Sequence, residues 1–276
     1  MKSIGIIGYG NMGKAIAERI KDKYAVCVFD QDSNKISALE NITAARNPVD
    51  LVKQSEVIIL AVKPQDFNLL LNEIRDFAQY KLIVSIAAGI TTEYIRSQLG
   101  EEVRIIRVMP NLPAQIGQGV SALFKDKFAT DQDLDLAWQL LSYIGLALPV
   151  DNELMLNAAT AVSGSSPAFF CQYIKDKINA DEKRNEFIEL LTAAAISVNF
   201  DGQFARTISV ATVNGTIAIL KEKKLSCEEL IKLVASKGGT TQAGLDVLNS
   251  GGSLEDAVVA ARDRAEELSK KTSYKE

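Results

Sequence analysis

The run Ile4-Gly5-Ile6-Ile7-Gly8-Tyr9-Gly10-Asn11-Met12-Gly13 constrains this chain more than any other stretch. Its apolar start has the length and composition of a buried strand, it breaks at Gly8, and Lys14 to Ile20 then shows helical spacing. The glycines therefore occupy a strand-to-helix turn, the setting in which G-x-G-x-x-G binds a dinucleotide. There Gly8 permits the tight turn, Gly10 lets a pyrophosphate approach bare backbone, and Gly13 lets helix and strand pack closely. The helix start adds free N–H groups and the positive end of its dipole. A second strand, Tyr24 to Phe29, ends in Asp30, ~20 residues beyond the first glycine, where a carboxylate can hold an adenine ribose. The alternative is a turn of the same shape that has lost its cofactor.

The chain contains no histidine. That removes Ser-His-Asp and Cys-His machinery along with the commonest metal ligand and general base. Chemistry must use another acid, a lysine, hydroxyls, backbone dipoles or a cofactor, and no metal site is expected. A net charge of -4 without a long basic block argues against nucleic acid as a partner. At 276 residues, 47% hydrophobic and 24% charged, the chain is long enough for one large globular domain or two ordinary ones. No apolar run approaches the ~20 residues of a bilayer span, and no signal-peptide pattern follows Met1-Lys2. A cytoplasmic protein without membrane contact is expected. Cys27, Cys171 and Cys227 are odd in number and far apart, which argues for reduced, structural thiols.

Beyond Asp30, helices near Ser33 to Glu40, from Pro48, over Gln65 to Ala78 and over Thr91 to Leu99 alternate with strands. The strands are Glu56 to Val62, Lys81 to Ile86 and Val103 to Val108, the last running into Met109-Pro110-Asn111-Leu112-Pro113. Gly119 to Phe124 and Ala147 to Val150, with a helix carrying Trp138 between them, complete a first domain over residues 1–150. The fold class is α/β, a doubly wound, mostly parallel sheet. Its ligands bind outside the carboxyl ends of the strands, so Gly8 to Gly13, Ala61-Val62-Lys63-Pro64, Ile86 to Gly89 and Met109 to Pro113 should share one rim.

From Asn152 onward only helical segments are legible: 152–162, 167–179, 184–199, 203–223, 226–235, 241–249 and 254–271. Residues 151–276 therefore form an all-α domain. Its segments around Ala193-Ala194-Ala195 and Val210 to Ile219 suit either an internal core or a homodimer interface, and a homodimer is expected. The charged run Lys175 to Arg184 reads as a solvated turn.

A second glycine-rich stretch, Ser236-Lys237-Gly238-Gly239-Thr240-Thr241, joins two of these helices, with Thr240 or Thr241 at the capping position. Hydroxyls and N–H groups converging at a helix start suit a small carboxylate, although an ordinary capped turn has the same composition.

In this ordered set of motifs the chain resembles pyrroline-5-carboxylate reductases. The likeness rests on Gly8-Tyr9-Gly10-Asn11-Met12-Gly13, Ala61 to Pro64, Arg107 to Pro113, Ser163-Gly164-Ser165-Ser166-Pro167-Ala168 and Gly238 to Thr241, and covers nearly the whole length. It implies a Rossmann domain for NADH or NADPH, an intertwined helical dimer that often forms decamers, and a small-molecule substrate reduced to L-proline. It also implies site residues. Thr241 would meet the ring nitrogen, while Ser236 and the backbone at Gly238, Gly239 and Thr240 would take the carboxylate. Lys63 and Pro64 would line the nicotinamide side with Ala87 nearby, and Asn47 would lie near the adenosine ribose. Lys63 also reads as a strand-end lysine facing solvent.

The chain departs from the family at Leu112 (usually threonine), Ser166 (usually glycine) and Lys237 (usually proline), and is longer between Pro167 and Gly202. Two other readings follow. A hydroxy-acid dehydrogenase would use Lys175 and Asn179, four apart on a helix, although Cys171 replaces that pattern's glycine. A diverged nucleotide-binding regulator would keep the fold without turnover. For the cofactor, Asp30 favours NADH, and the donors of Gln31 to Lys35 with Asn47 admit NADPH, so both should work with a modest NADH preference.

Overall fold

The computed structural model describes residues 2–174 and 180–273. The first half runs β1 (Ser3–Ile7), α1 (Asn11–Ile20), β2 (Ala25–Phe29), β3 (Thr43–Ala44), α2 (Pro48–Gln54), β4 (Val57–Leu60), α3 (Phe67–Ile74), β5 (Leu82–Ser85) and α4 (Thr92–Leu99). It continues with β6 (Arg104–Pro110), β7 (Gly119–Lys125), α5 (Asp131–Ser142) and β8 (Gly145–Val150). The described strands form one eight-stranded sheet, ordered β3-β2-β1-β4-β5-β6-β7-β8. Every pairing is parallel except β6 with β7, whose connection holds only the 3-10 turn Leu112–Ile116, too short for a crossover.

Successive strand residues enter opposite faces. Ile4, Ile6, Val57 and Ile59 pack on one side, and Ile7, Ile58 and Leu60 on the other. Helices cover both faces, so these strands are apolar throughout. The chain leaves β1 toward β2 and returns to β4 on the other flank. That reversal leaves a crevice at the carboxyl ends of β1 and β4, where the glycine turn and Ala61 to Pro64 lie.

The second half contains α6 (Met155–Ala159), a π-helical turn (Thr160–Ser165), α7 (Ser166–Ile174), α8 (Ala180–Ser197), α9 (Gly202–Lys223), α10 (Cys227–Val234), α11 (Thr240–Asn249) and α12 (Leu254–Ser273). Its core of Phe169, Phe170, Phe187, Leu191 and Ile208 also takes in Val120 and Ala122 of β7, so the helices grow directly on the sheet. At this junction the buried Arg107 contacts Glu153 at 3.0 Å, and Glu153 accepts from the Thr92 N–H and hydroxyl at 2.8 and 2.9 Å. Burial draws the Arg107 pKa down, and Glu153 opposes that shift.

Several expected boundaries change. The helix over 152–162 is α6 followed by the π turn, in which Thr160 and Ser163 donate back to the Leu156 and Ala159 carbonyls and loosen the winding. The helix near Ser33 to Glu40 shrinks to a 3-10 turn, Ser33–Ile36, because the Asp32 carboxylate draws in the Asn34 N–H. The helix over Gln65 to Ala78 is split, with 3-10 turns at Pro64–Asp66 and Arg75–Phe77 flanking α3. Of the expected turn over Lys175 to Arg184, the part from Ala180 belongs to α8, and residues 175–179 lie outside the described residues. Cys171 and Cys227 meet in one small cluster with Ile116 and Leu230, where burial and the neighbouring thiol push the Cys171 pKa up. The described cysteines are all free. Among the described residues no helix is long and apolar enough to cross a membrane.

Candidate active site

The glycine turn has the geometry its sequence requires. Gly8 sits at φ +102°, and a Cβ there would lie 2.5 Å from the Ala61 carbonyl oxygen. A Cβ on Gly13 would collide with the Gly8 carbonyl, which is how α1 packs against the end of β1. Gly10 is different, because a Cβ there would meet nothing within 4 Å. It faces open space at the start of α1, whose N-cap is Gly10 itself and whose first turn has neither a side-chain cap nor an acidic residue. A pyrophosphate-shaped anion fits this cradle, with unsatisfied N–H groups as donors.

The turn opens into a cleft of about 630 Å³ lined by Gly8, Gly10, Asp30, Asn47, Val62 and Lys63, among others. Ala61 also lines it, and Pro64 follows Lys63 as the first residue of a 3-10 turn. Asp30 accepts from the Tyr9 N–H at 2.7 Å, the Asp32 N–H at 2.9 Å and Lys35 Nζ at 3.1 Å. Burial raises its pKa, but these donors prevail and hold it below the usual carboxylate range. Asn47 caps α2, its Oδ1 accepting from the Asp50 N–H at 2.8 Å.

Two expected cofactor residues, Tyr9 and Met12, have their side chains elsewhere. Tyr9 is buried and donates its hydroxyl to Glu18 at 2.8 Å, and burial with that carboxylate pushes its pKa well up. Met12 packs against the core below the sheet, and Gly13 is spent on the close approach. For Tyr9 and Met12 only the backbone is available to a ligand in the turn. Asn11 is exposed at the helix start, whereas Ala87 is buried beyond β5 and does not line the cleft. The cleft also uses Leu69 and Glu73 of α3, which sequence reading missed. Leu69 is 77% exposed, and a leucine on the polar face of an amphipathic helix was the available signal.

The second loop runs from the end of α10 to the start of α11. Gly239 is the N-cap and makes no side-chain cap bond, so Thr240 and Thr241 are the first two helical residues and not caps. Their hydroxyls contact Ser165 of the π turn. Ser165 Oγ, in the π turn, lies 3.1 Å from Thr241 Oγ1 and 3.2 Å from Thr240 Oγ1. The N–H groups of α11 are left without a side-chain acceptor, as those of α1 are. The loop is braced by Gly239 N–H to the Ser236 carbonyl at 2.9 Å and by Arg264 Nε to the Gly238 carbonyl at 2.8 Å. Ser236, Lys237 and Gly238 are exposed. Ser165 and Arg264 were missed as site residues, although Ser165 stood inside a motif already singled out.

The departures from the family pattern are absorbed locally. Ser166 is fully buried and donates to the Ala161 carbonyl at 3.3 Å, and Leu112 packs beside Ile116 and Cys171. Asn111 joins the two regions: its amide donates to the Ser163 carbonyl at 3.1 Å and accepts from the Val120 N–H at 2.7 Å. Lys175 and Asn179 lie outside the described residues.

Known proteins align with this arrangement along nearly the whole chain. The family model for NADP oxidoreductase, coenzyme F420-dependent, matches residues 3–89, and that for pyrroline-5-carboxylate reductase dimerisation matches residues 184–270. A pyrroline-5-carboxylate reductase of Methanosarcina acetivorans is 31% identical over 98% of this chain and 99% of its own. One from Haemophilus influenzae is 33% identical over 97% of each. The solved pyrroline-5-carboxylate reductase of Coxiella burnetii superimposes with a TM-score of 0.66 at 28% identity, covering 96% of this chain and 98% of that one. The chain belongs to the pyrroline-5-carboxylate reductase family.

Proposed function

We propose that this chain reduces 1-pyrroline-5-carboxylate to L-proline, the last step of proline biosynthesis, as an NAD(P)H-dependent oxidoreductase. The observation that carries this reading is a pair of uncapped helix starts, one behind a bare glycine turn and one behind a hydroxyl-bearing loop, in a chain of this family. When bound, the reduced nicotinamide supplies a hydride to the imine carbon. The protein has to bind and align. Gly8 to Gly13 and the start of α1 take the pyrophosphate, through backbone alone at Tyr9, Met12 and Gly13. Asp30 and Asn47 meet the adenosine ribose, and Ala61, Val62, Lys63 and Pro64 line the nicotinamide side with Ala87 behind them. Ser236 and the backbone of Gly238, Gly239 and Thr240 hold the substrate carboxylate, while the Thr241 hydroxyl meets the ring nitrogen. Such positioning supplies ~7 to 11 kcal/mol of a barrier, and a cyclic imine that enters protonated needs no histidine.

Both NADH and NADPH should serve, with a modest preference for NADH. Asp30 and Asp32 line the cleft, Lys35 is paired with Asp30, and no arginine is among the described lining residues. We further propose that the chain divides near residue 150 and works in the cytoplasm as a homodimer or an assembly of dimers. Leu190, Ile196 and Leu233, exposed on the helical half, fall within the part matched by the dimerisation family. Steady-state assay with 1-pyrroline-5-carboxylate tests the activity. Nucleotide binding without imine turnover would favour a regulator, and oxidation of hydroxy acids would favour a dehydrogenase.

A further inference from the structure

The Ser163-Gly164-Ser165-Ser166 segment holds three buried serines that behave differently. Ser163 donates to the Ala159 carbonyl and Ser166 to the Ala161 carbonyl, each within its own helical stretch. Ser165, with no exposed surface, reaches across to α11 and contacts both threonines there. The π turn makes this possible. Its widened winding changes the angle between consecutive side chains, so one serine of the three leaves the helix, as π turns commonly allow at functional sites.

A hydroxyl has one proton and two lone pairs, so the direction of each bond limits what remains. The Thr241 hydroxyl donates to Ser165 Oγ. Ser165 Oγ also lies 3.2 Å from Thr240 Oγ1, a contact in which either oxygen can donate. With its own proton given to Ser165, Thr241 offers a ligand lone pairs only. Thr240 offers a proton when Ser165 donates to it.

We propose that Ser165 is a positioning residue which commits the Thr241 proton and gives its own to Thr240, so that Thr241 accepts from a protonated ring nitrogen while Thr240 donates to the carboxylate. The inference rests on the functional reading above for which end of the substrate meets which threonine. It makes the site selective for the protonated cyclic imine over the neutral one. The ordered hydroxyls supply the preference.

The test uses two ligands of one shape. L-Proline carries a ring ammonium that can only donate, whereas tetrahydrofuran-2-carboxylate carries a ring oxygen that can only accept. Calorimetric titration of each into the dinucleotide-saturated enzyme should show wild type preferring L-proline by about tenfold or more. In Ser165→Ala the Thr241 proton is released to donate, so that ratio should narrow by about fivefold. In a Thr241→Val background the same Ser165 substitution should leave the ratio unmoved. A Ser165→Ala protein whose two affinities fall together, or whose effect persists without the Thr241 hydroxyl, would overturn the proposal in favour of a packing role. If Ser165→Ala does not fold, Ser165→Cys, of similar shape with a weakly accepting sulfur, should narrow the ratio in the same direction, and an unchanged ratio would count against the proposal. Wild type that shows the ratio but does not turn over the imine refutes the activity and supports the hydroxyl chain. Turnover with an unmoved ratio does the reverse, and binding of neither ligand overturns both.

Discussion

Two glycine-rich turns feed uncapped helices in this molecule, and they differ in who holds them. The turn at Gly8 to Gly13 is held chiefly by its own backbone and by Ala61 of the next strand. The turn at Ser236 to Gly239 is held by side chains from elsewhere, with Ser165 gripping the first two residues of α11 and Arg264 gripping the Gly238 carbonyl. A bare backbone suits a pyrophosphate, which needs only N–H donors and a dipole. A small acid whose ring nitrogen must be oriented needs hydroxyls with fixed protons, and those require neighbours.

The largest effect is expected at the junction between the sheet that carries the first turn and the helices that carry the second. Arg107 of β6, Thr92 of α4 and Glu153 tie the sheet to the helical half, so Glu153→Ala leaves a buried guanidinium without its partner. Removing one member of such a pair typically costs ~3 to 5 kcal/mol. Chemical denaturation should show that loss. A change below about 1 kcal/mol, the range of an exposed pair, would mean that other contacts hold the sheet and the helical half together.

Next come the glycines themselves. Gly13→Ala drives a methyl into the Gly8 carbonyl, which is backbone and must shift, so ~1 to 3 kcal/mol or more should be lost. Gly239→Ala also meets a close neighbour, but that neighbour is the Ser236 hydroxyl, which can rotate, and the loss should be smaller. Gly10→Ala should leave stability nearly intact, because its Cβ would enter open space, while weakening dinucleotide binding. Melting curves and dinucleotide titrations on the three variants check the order. Equal destabilisation at Gly13 and Gly239 would erase the difference between the turns.

Thr241→Val tests the second turn directly. It keeps the volume and removes the hydroxyl, so turnover should fall tenfold to a hundredfold, the effect of a charge-assisted hydrogen bond of ~1.5 to 3 kcal/mol. Dinucleotide affinity should be unchanged. An equal loss in dinucleotide affinity would show that the two turns are not separate in function.

The same contrast governs what could be read from sequence. The first turn was legible because every atom that shapes it lies within a few residues of the motif or at the end of the adjacent strand. Thr240 and Thr241 were expected at a cap because serine and threonine before a helix usually cap it. What overrode that local rule was Ser165, 75 residues from Thr240, placed by a π turn that no periodicity announces. Arg264 and the pairing of Cys171 with Cys227 were hidden for the same reason: each depends on which helices become neighbours. Tyr9 shows a different limit. The glycine motif fixes where its backbone lies, but not that the aromatic ring buries itself in the core beneath the turn.

The smallest effect concerns a side chain that braces the backbone of the first turn. Asp30 Oδ2 takes the Tyr9 N–H, and Oδ1 takes the Asp32 N–H and Lys35, so the carboxylate both braces the turn and lends the cleft a negative charge. Asp30→Ser should lower the NADH preference several-fold, since a serine no longer repels the 2'-phosphate of NADPH and leaves Lys35 free to meet it. The brace has a pH signature as well. Burial alone would raise the Asp30 pKa, but the N–H donors and Lys35 set it below its ordinary value, so the folded state prefers the ionised form. Its contribution is therefore complete above the unfolded carboxylate value of ~3.9 and fades as pH falls through the lower folded one. Wild type should lose stability more steeply than Asp30→Ser below about pH 4, with the two curves differing by a constant amount near neutrality. Parallel acid limbs would remove Asp30 as a brace. An unmoved ratio of specificity constants for the two dinucleotides would remove it from the ribose, and the first turn would then be a backbone site throughout.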